Sequence, residues 1–204
     1  MAQPSAVIFD VGNVLFQWDR KAIYGRLIED DRALAAFLND VVSLEWHAQH
    51  DAGVSFAETS AALTERFPQH AALIAEYGPR FNDSLQHEVP GVVAILRALH
   101  EAGVPLFAIT NFHDGFFEAF RATRPDVFDL FGDIVVSGVE KLIKPGAAIY
   151  HLALDRFGLE PGQAAFIDDS LPNIEAADAL GIHGLLFTDA ATLRADLIRL
   201  GFPL

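Results

Sequence analysis

Three short apolar runs of this chain end on groups that can do chemistry. "AVIFD" (6–10) closes on Asp10, "PLFAIT" (105–110) on Thr110 with Asn111 next, and "AAFID" (164–168) on Asp168 with Asp169 next. A lysine, Lys144, stands immediately before Pro145, where a helix is expected to begin. If Asp10, Asp168 and Asp169 are neighbours, their charges cannot all persist in a cleft without a cation. An all-oxygen donor set with few protein ligands suits Mg²⁺, which keeps several waters and pairs with substrate phosphate. A carboxylate beside such an ion can attack phosphorus and form an aspartyl phosphate. Thr110 would then donate to the phosphoryl oxygens, while Lys144 would neutralise charge and orient Asp10. Backbone N–H groups after Asp10, where Gly12 permits close approach, would complete the cradle.

Each residue also has a plainer role. Asp10 before Gly12-Asn13 could be a turn residue. Asp169 or Ser170 could cap the helix starting near Pro172, and Lys144 could be a solvated side chain. What these separate roles do not explain is the joint placement at successive strand ends.

The elements that must position these groups are legible in the apolar pattern. Runs 6–10, 105–110, 164–168 and 182–187 read as buried parallel strands, and "DIVVS" (133–137) as a fifth. Helical spacing separates them: Val92, Ile95, Leu96 and Leu99 recur at i, i+3, i+4 and i+7 before Gly103 as a stop. Residues 146–158 and 173–181 repeat the pattern. Strands alternating with helices predict an α/β fold, an open Rossmann-like parallel sheet covered by helices on both faces. Residues 17–88 contain no convincing strand and several amphipathic helical stretches, one opening on a Ser55–Glu58 capping box. They read as a helical cap inserted into an α/β core of residues 1–16 and 89–204. In such sheets ligands bind beyond the carboxyl ends of the strands, where the candidate residues lie.

Composition limits the partners. The formal charge of −14, from 14 basic against 28 acidic side chains, repels polyphosphate backbones and argues against nucleic acid. It leaves room for a small anionic substrate, because one lysine and a metal can reverse the sign inside a pocket. With no cysteine, disulfides, thiolate zinc sites and cysteine nucleophiles are excluded. The first apolar run is interrupted by Asp10 and lacks a basic leader, so it does not read as a signal peptide. No stretch approaches the roughly 18 apolar residues that span a bilayer. The expectation is a soluble, cytoplasmic protein with no membrane partner; oligomeric state leaves no mark in the sequence.

Four motifs together resemble the haloacid dehalogenase-like hydrolase superfamily: "VIFDVGNVL", "FAITN", Lys144 in "KLIKPGAAIY", and "FIDDSLPNIEAA", in that order. The resemblance covers nearly the whole chain and places the helical insertion where that family carries its C1 cap. It implies Asp10 as nucleophile, with Thr110, Asn111 and Lys144 as phosphate binders. It also implies Asp10, Asp169 and the backbone carbonyl of Gly12 as metal ligands, with Asp168 assisting directly or through water.

One position departs from the family pattern. Most phosphatases of the superfamily carry a second aspartate two residues after the nucleophile as general acid and base, and here that position is Gly12. Losing a positioned acid typically costs ~10²–10⁴-fold in rate. The branch with "FDxGNV", which includes a sugar-1-phosphate phosphatase, shares the gap; an anomeric leaving group needs less help from an acid. Metal-independent 2-haloacid dehalogenases also lack the second aspartate. The Asp168-Asp169 pair favours a Mg²⁺-dependent phosphatase of a small phosphorylated metabolite over a dehalogenase. A non-catalytic protein that holds a phosphorylated ligand is a third reading. His113 could supply the missing proton or simply begin a helix. In the cap, Trp46, His47, His50 and Asp51 crowd one segment that reads as a substrate-facing surface; a zinc site at His47 and His50 lacks clear further ligands.

Overall fold

The computed structural model describes residues 3–204, so residues 1 and 2 of the expected core segment lie outside it. Five strands form, at Ala6–Phe9 (β1), Leu106–Thr110 (β2), Asp133–Val136 (β3), Ala164–Asp168 (β4) and His183–Leu186 (β5). Each lies within a residue or two of its apolar run. All pairings are parallel and the order is β3-β2-β1-β4-β5. From β1 the chain builds outward through β2 to β3, then crosses back to add β4 on the other side of β1. The crevice at that reversal is where a doubly wound sheet binds ligands. Phe9 is level with Ala108 of β2 and Ile167 of β4, so Asp10 emerges beside the ends of both neighbours.

The sheet is buried on both faces because its side chains alternate. Val7, Phe9, Ala108 and Ile167 pack with helices Val92–Glu101, Asp114–Arg121 and Ala190–Arg199. Ile8, Ile109 and Phe166 face helices Ala147–Phe157 and Leu171–Ala179.

Between β1 and β2 the described elements are helical, chiefly Asp31–Asp40, Leu44–Asp51 and Phe56–Arg66. Asp30, Ser43 and Ser55 cap these three helices, each side chain accepting a backbone N–H from the first turn. The Ser55–Glu58 pair forms as expected on the backbone side, and the Ser55 hydroxyl in turn donates to Glu58 Oε2 at 2.7 Å. The chain leaves and re-enters the core beside itself: Gln17 N–H donates to the His87 carbonyl at 2.8 Å, and Val89 N–H to the Leu15 carbonyl at 2.9 Å. The insertion shares one apolar cluster with the sheet, through Phe37, Trp46, Tyr77 and Phe81. Among the described residues no helix is long and apolar enough to cross a membrane.

Candidate active site

The carboxyl ends of β1, β2 and β4 converge on one buried ammonium. Lys144 Nζ lies 2.9 Å from Asp10 Oδ1 and 2.7 Å from Asp168 Oδ2, and donates to the Ile109 carbonyl at 3.0 Å. Its three hydrogens therefore all have acceptors. At 3% exposure it is no solvated side chain. Burial alone pulls its pKa down, but the charges of Asp10 and Asp168 outweigh that and the net shift is upward. Asn111 braces the loop: its Nδ2 donates to the Lys144 carbonyl at 3.0 Å and its Oδ1 accepts the Lys144 N–H at 2.9 Å. The amide thus spans the Lys144 peptide while the residue lines the cavity.

Asp10 also accepts the Val11 N–H on Oδ1, at 2.7 Å. Burial pushes its carboxyl up; Lys144 opposes this and Asp168 adds to it. Asp168 is fully buried and held from every side. Its Oδ1 accepts the Ser170 N–H at 2.8 Å, Asn173 Nδ2 reaches both oxygens at 3.0 Å, and Lys144 takes Oδ2. Ser170 sits at the N-cap of the following helix without a side-chain capping bond, so neither it nor Asp169 plays the plain capping role. Asp169 Oδ2 accepts Asn13 Nδ2 at 3.0 Å. Burial raises the Asp169 pKa, and the Asn13 hydrogen bond works against that rise.

Asn13 owes its position to an unusual backbone. Its φ is 56°, in the left-handed region that short polar side chains tolerate best among non-glycines. From there Oδ1 accepts the Trp18 N–H at 3.1 Å while Nδ2 reaches Asp169, tying the first loop to the fourth strand.

Asp10, Asp168 and Asp169 each place a carboxylate oxygen within 4.8 Å of the others. Three acids against one ammonium leave negative charge in excess, and every donor is oxygen. That chemistry fits a hard divalent cation such as Mg²⁺.

A cavity of about 320 Å³ opens over this cluster. Asp10, Gly12, Asn13, Asn111, Lys144, Asp169 and Asn173 form its polar floor. Thr110 is buried at the end of β2, next in sequence to Asn111, which lines the cavity. The opposite wall comes mostly from the insertion: Trp18, Leu44, His47, Ala48, Asp51, Phe81 and Leu85, with Phe112 from the core. This wall is largely apolar and carries no cation.

The cap cluster divides into packing and lining residues. Trp46 is buried and donates through Nε1 to the Thr59 carbonyl at 3.2 Å. His50 is buried with Nε2 2.6 Å from Thr59 Oγ1. His47 stacks on Phe81, pairs through Nδ1 with Tyr77 OH at 2.8 Å, and directs Nε2 toward Asp51 Oδ2 at 3.5 Å. Among the described residues the two histidines join no group able to hold a metal; the one such group is the aspartate cluster. His113 begins the helix Asp114–Arg121, where its Nδ1 accepts the Phe116 N–H at 3.3 Å. It is not among the residues lining the cavity.

Ser137, Asn13 and Asn173 are members of the site that sequence patterning does not single out. Ser137, just past β3, accepts the Phe112 N–H at 2.9 Å and donates to the Asp51 carbonyl at 2.6 Å, fastening the cap helix to the core. The linear signals are slight: Asn173 falls within "FIDDSLPNIEAA" and Asn13 within the Gly-Asn turn, while Ser137 has none.

Residues 4–181 match the family model for haloacid dehalogenase-like hydrolases, and the chain belongs to that family of enzymes. It is 27% identical to the sesquiterpene phosphatase astK of Aspergillus oryzae over 196 residues, 96% of this chain and 95% of that protein. It is 26% identical to the mouse Acyl-CoA dehydrogenase family member 10, covering 98% of this chain but spanning only 19% of that protein. Among solved structures, a HAD family enzyme of Bacteroides thetaiotaomicron in its magnesium complex superposes with a TM-score of 0.73 at 21% identity, over 97% of this chain and 100% of that one. That likeness speaks to the fold.

Proposed function

We propose that the chain is a Mg²⁺-dependent phosphomonoester hydrolase that acts on a small phosphorylated metabolite through an aspartyl phosphate on Asp10. The observation that carries this reading is the acid cluster itself: three strand-end carboxylates, two of them paired with one ammonium, at the floor of a cavity. Residues 17–88 act as the cap over a core of residues 1–16 and 89–204. A cysteine-free chain fits a cytoplasmic setting.

Asp10, Asp169 and the Gly12 carbonyl are the groups to hold the ion. Asp168, whose oxygens are already taken by Lys144, Asn173 and Ser170, would assist them, directly or through water. When bound, the ion neutralises phosphoryl charge and lets an anionic ester approach a carboxylate. Lys144 holds Oδ1 of Asp10 and leaves Oδ2 as the attacking oxygen. Thr110 and the backbone N–H groups after Asp10 receive the phosphoryl oxygens. Asp10 displaces the alcohol, and water then hydrolyses the aspartyl phosphate. The family relationship and the phosphatase among the relatives support the same reaction.

The substrate's body meets the cap wall. With Trp18, Leu44, Phe81, Leu85 and Phe112 lining it and no cation present, that wall suits a monophosphate whose remainder is neutral and partly apolar. Sugar phosphates and phosphates of apolar alcohols belong in one panel. The test is phosphate release from that panel with and without Mg²⁺, using Asp10→Asn as the blank. Mg²⁺-dependent release above the blank supports the reading. Chloride release from a 2-haloacid, untouched by EDTA, replaces it with a dehalogenase; ligand-induced stabilisation without turnover replaces it with a binding protein.

A further inference from the structure

We propose that Asp51, on the cap helix Leu44–Asp51, is the general acid of this site and donates its carboxyl proton to the oxygen of the leaving alcohol. The inference rests on the phosphatase reading above. It answers what the position of Gly12 leaves open, since no acid reaches the leaving group from the core loop.

The geometry is specific. Asp51 lines the same cavity as Asp10, Asp169 and Lys144, from the opposite wall. Its Oδ1 is buried and has no hydrogen-bond partner among the described residues, while Oδ2 stands 3.5 Å from His47 Nε2. A buried polar atom left unpaired costs about 1–3 kcal/mol, and such atoms in native structures call for an explanation. The fold holds this residue in place rather than letting it turn to solvent. Ser137 Oγ donates to the Asp51 carbonyl, and the next turn closes on Gly53, whose φ of +86° and close approach to the Gly138 carbonyl exclude a side chain there.

Among the described charged and titratable groups around it, which include Tyr77 with its phenol pushed well up by burial, Asp51 is the one acid left for the task. Asp10 and Lys144 face it from the core. His47 lies on its own helix one turn earlier; burial pushes that imidazole down to about 3, so it is neutral and has no acidic proton to give. Asp10, Asp169 and Lys144 have other tasks, and His113 stands outside the lining. Burial, reinforced by the charge of Asp10, raises the Asp51 carboxyl to about 7, which keeps a useful fraction protonated near neutrality.

The step balances. The Asp10 carboxylate forms its bond to phosphorus as the P–O bond to the alcohol breaks. The leaving oxygen takes the Asp51 proton and departs as neutral alcohol. Water then attacks the aspartyl phosphate, Asp51 takes a proton from it, and inorganic phosphate leaves with Asp10 and Asp51 restored.

A leaving-group comparison separates this role from a structural one. Wild type, Asp51→Asn and Asp51→Glu would be assayed on an alkyl phosphate, whose alcohol needs a proton, and on 2,4-dinitrophenyl phosphate, whose phenolate does not. Asp51→Asn is expected to lose ~10²–10⁴-fold in kcat/KM, which reports the steps up to release of the alcohol, on the alkyl ester and less than about tenfold in kcat/KM on the aryl ester, with partial recovery in Asp51→Glu. Equal losses on both esters, or none on the alkyl ester, would overturn the proposal. If wild type cleaves neither ester, or no faster than Asp10→Asn, the phosphatase reading itself falls and takes this inference with it.

Discussion

Lys144 and Asp168 form a fully buried pair at 2.7 Å, and the same ammonium lies 2.9 Å from Asp10. Two of the three acids are therefore organised by one cation before any metal or substrate arrives. Asp168 fixes Lys144, and Lys144 fixes Asp10.

That chain of dependence predicts the effect of removing the cation. Lys144→Met leaves two buried carboxylates without their partner, and breaking a buried pair from one side typically costs about 3–5 kcal/mol. Urea denaturation of the variant should show a loss in that range, with activity abolished. The double variant with Asp168→Asn should recover part of the stability and none of the activity, because Asp10 still lacks its orienting contact.

Metal removal should separate Asp169 from Asp168. Asp169 lines the cavity with a single side-chain hydrogen bond, from Asn13, whereas Asp168 lies below the surface fully engaged. Adding Mg²⁺ to the EDTA-treated protein should raise its Tm, as any ligand of the folded state does. Asp169→Asn should abolish that rise while leaving the metal-free Tm within a few degrees of wild type. A full Mg²⁺ response in the variant would remove Asp169 from the ligand set.

The strand-end residues are legible in the sequence because two local rules place them. Continuous apolar runs locate the strands, and an open parallel sheet presents ligand groups at their carboxyl ends. Asp10, Asp168, Asp169 and Lys144 come together on those rules. How their hydrogen bonds are distributed is not legible there. Nothing local shows that the Asn111 amide spans the Lys144 peptide, and Asn173 reads as a helix residue until it is seen on Asp168. Ser137 and Asp51 meet across 86 positions of chain. Contacts of that range depend on how the cap docks, which no local pattern encodes.

The raised carboxyl of Asp51 makes stability depend on pH in a stated direction. Its folded pKa, about 7, exceeds the ordinary carboxyl value of 3.8, so between these limits the folded state binds more protons than the unfolded one. This contribution to stability is therefore full at low pH and is lost as pH rises through about 7. Asp51→Asn removes the titrating group. In EDTA, the variant should exceed wild type in stability at pH 8 by roughly 1–3 kcal/mol, since each tenfold change in proton affinity is worth about 1.36 kcal/mol and a polar group stays unpaired. The advantage should shrink toward pH 4. Thermal scans of both proteins across that range would check it, and a pH-independent difference would mean that Asp51 is ionised throughout. A more stable but slower variant is the usual signature of a group kept for function.

Gly12 and Gly53 offer the sharpest contrast between two glycines. A Cβ built at Gly12 meets nothing within 4 Å, and its φ lies outside the left-handed region. At Gly53 the φ is +86° and a Cβ would stand 2.9 Å from the Gly138 carbonyl. Gly53→Ala should thus destabilise by about 1–3 kcal/mol, through backbone strain and the loss of close approach between cap and core. Gly12→Ala should be neutral or slightly stabilising, because it narrows the unfolded ensemble without strain. The open space at Gly12 also admits a carboxyl where the family usually carries its acid. Gly12→Asp placed in the Asp51→Asn background should restore at least about tenfold of the lost turnover on an alkyl phosphate. Restoration would show that the two positions supply the same proton from opposite walls of the cavity. Failure of Gly12→Asp to help, in a protein that still folds and cleaves the dinitrophenyl ester, would mean that the leaving oxygen faces away from the core loop.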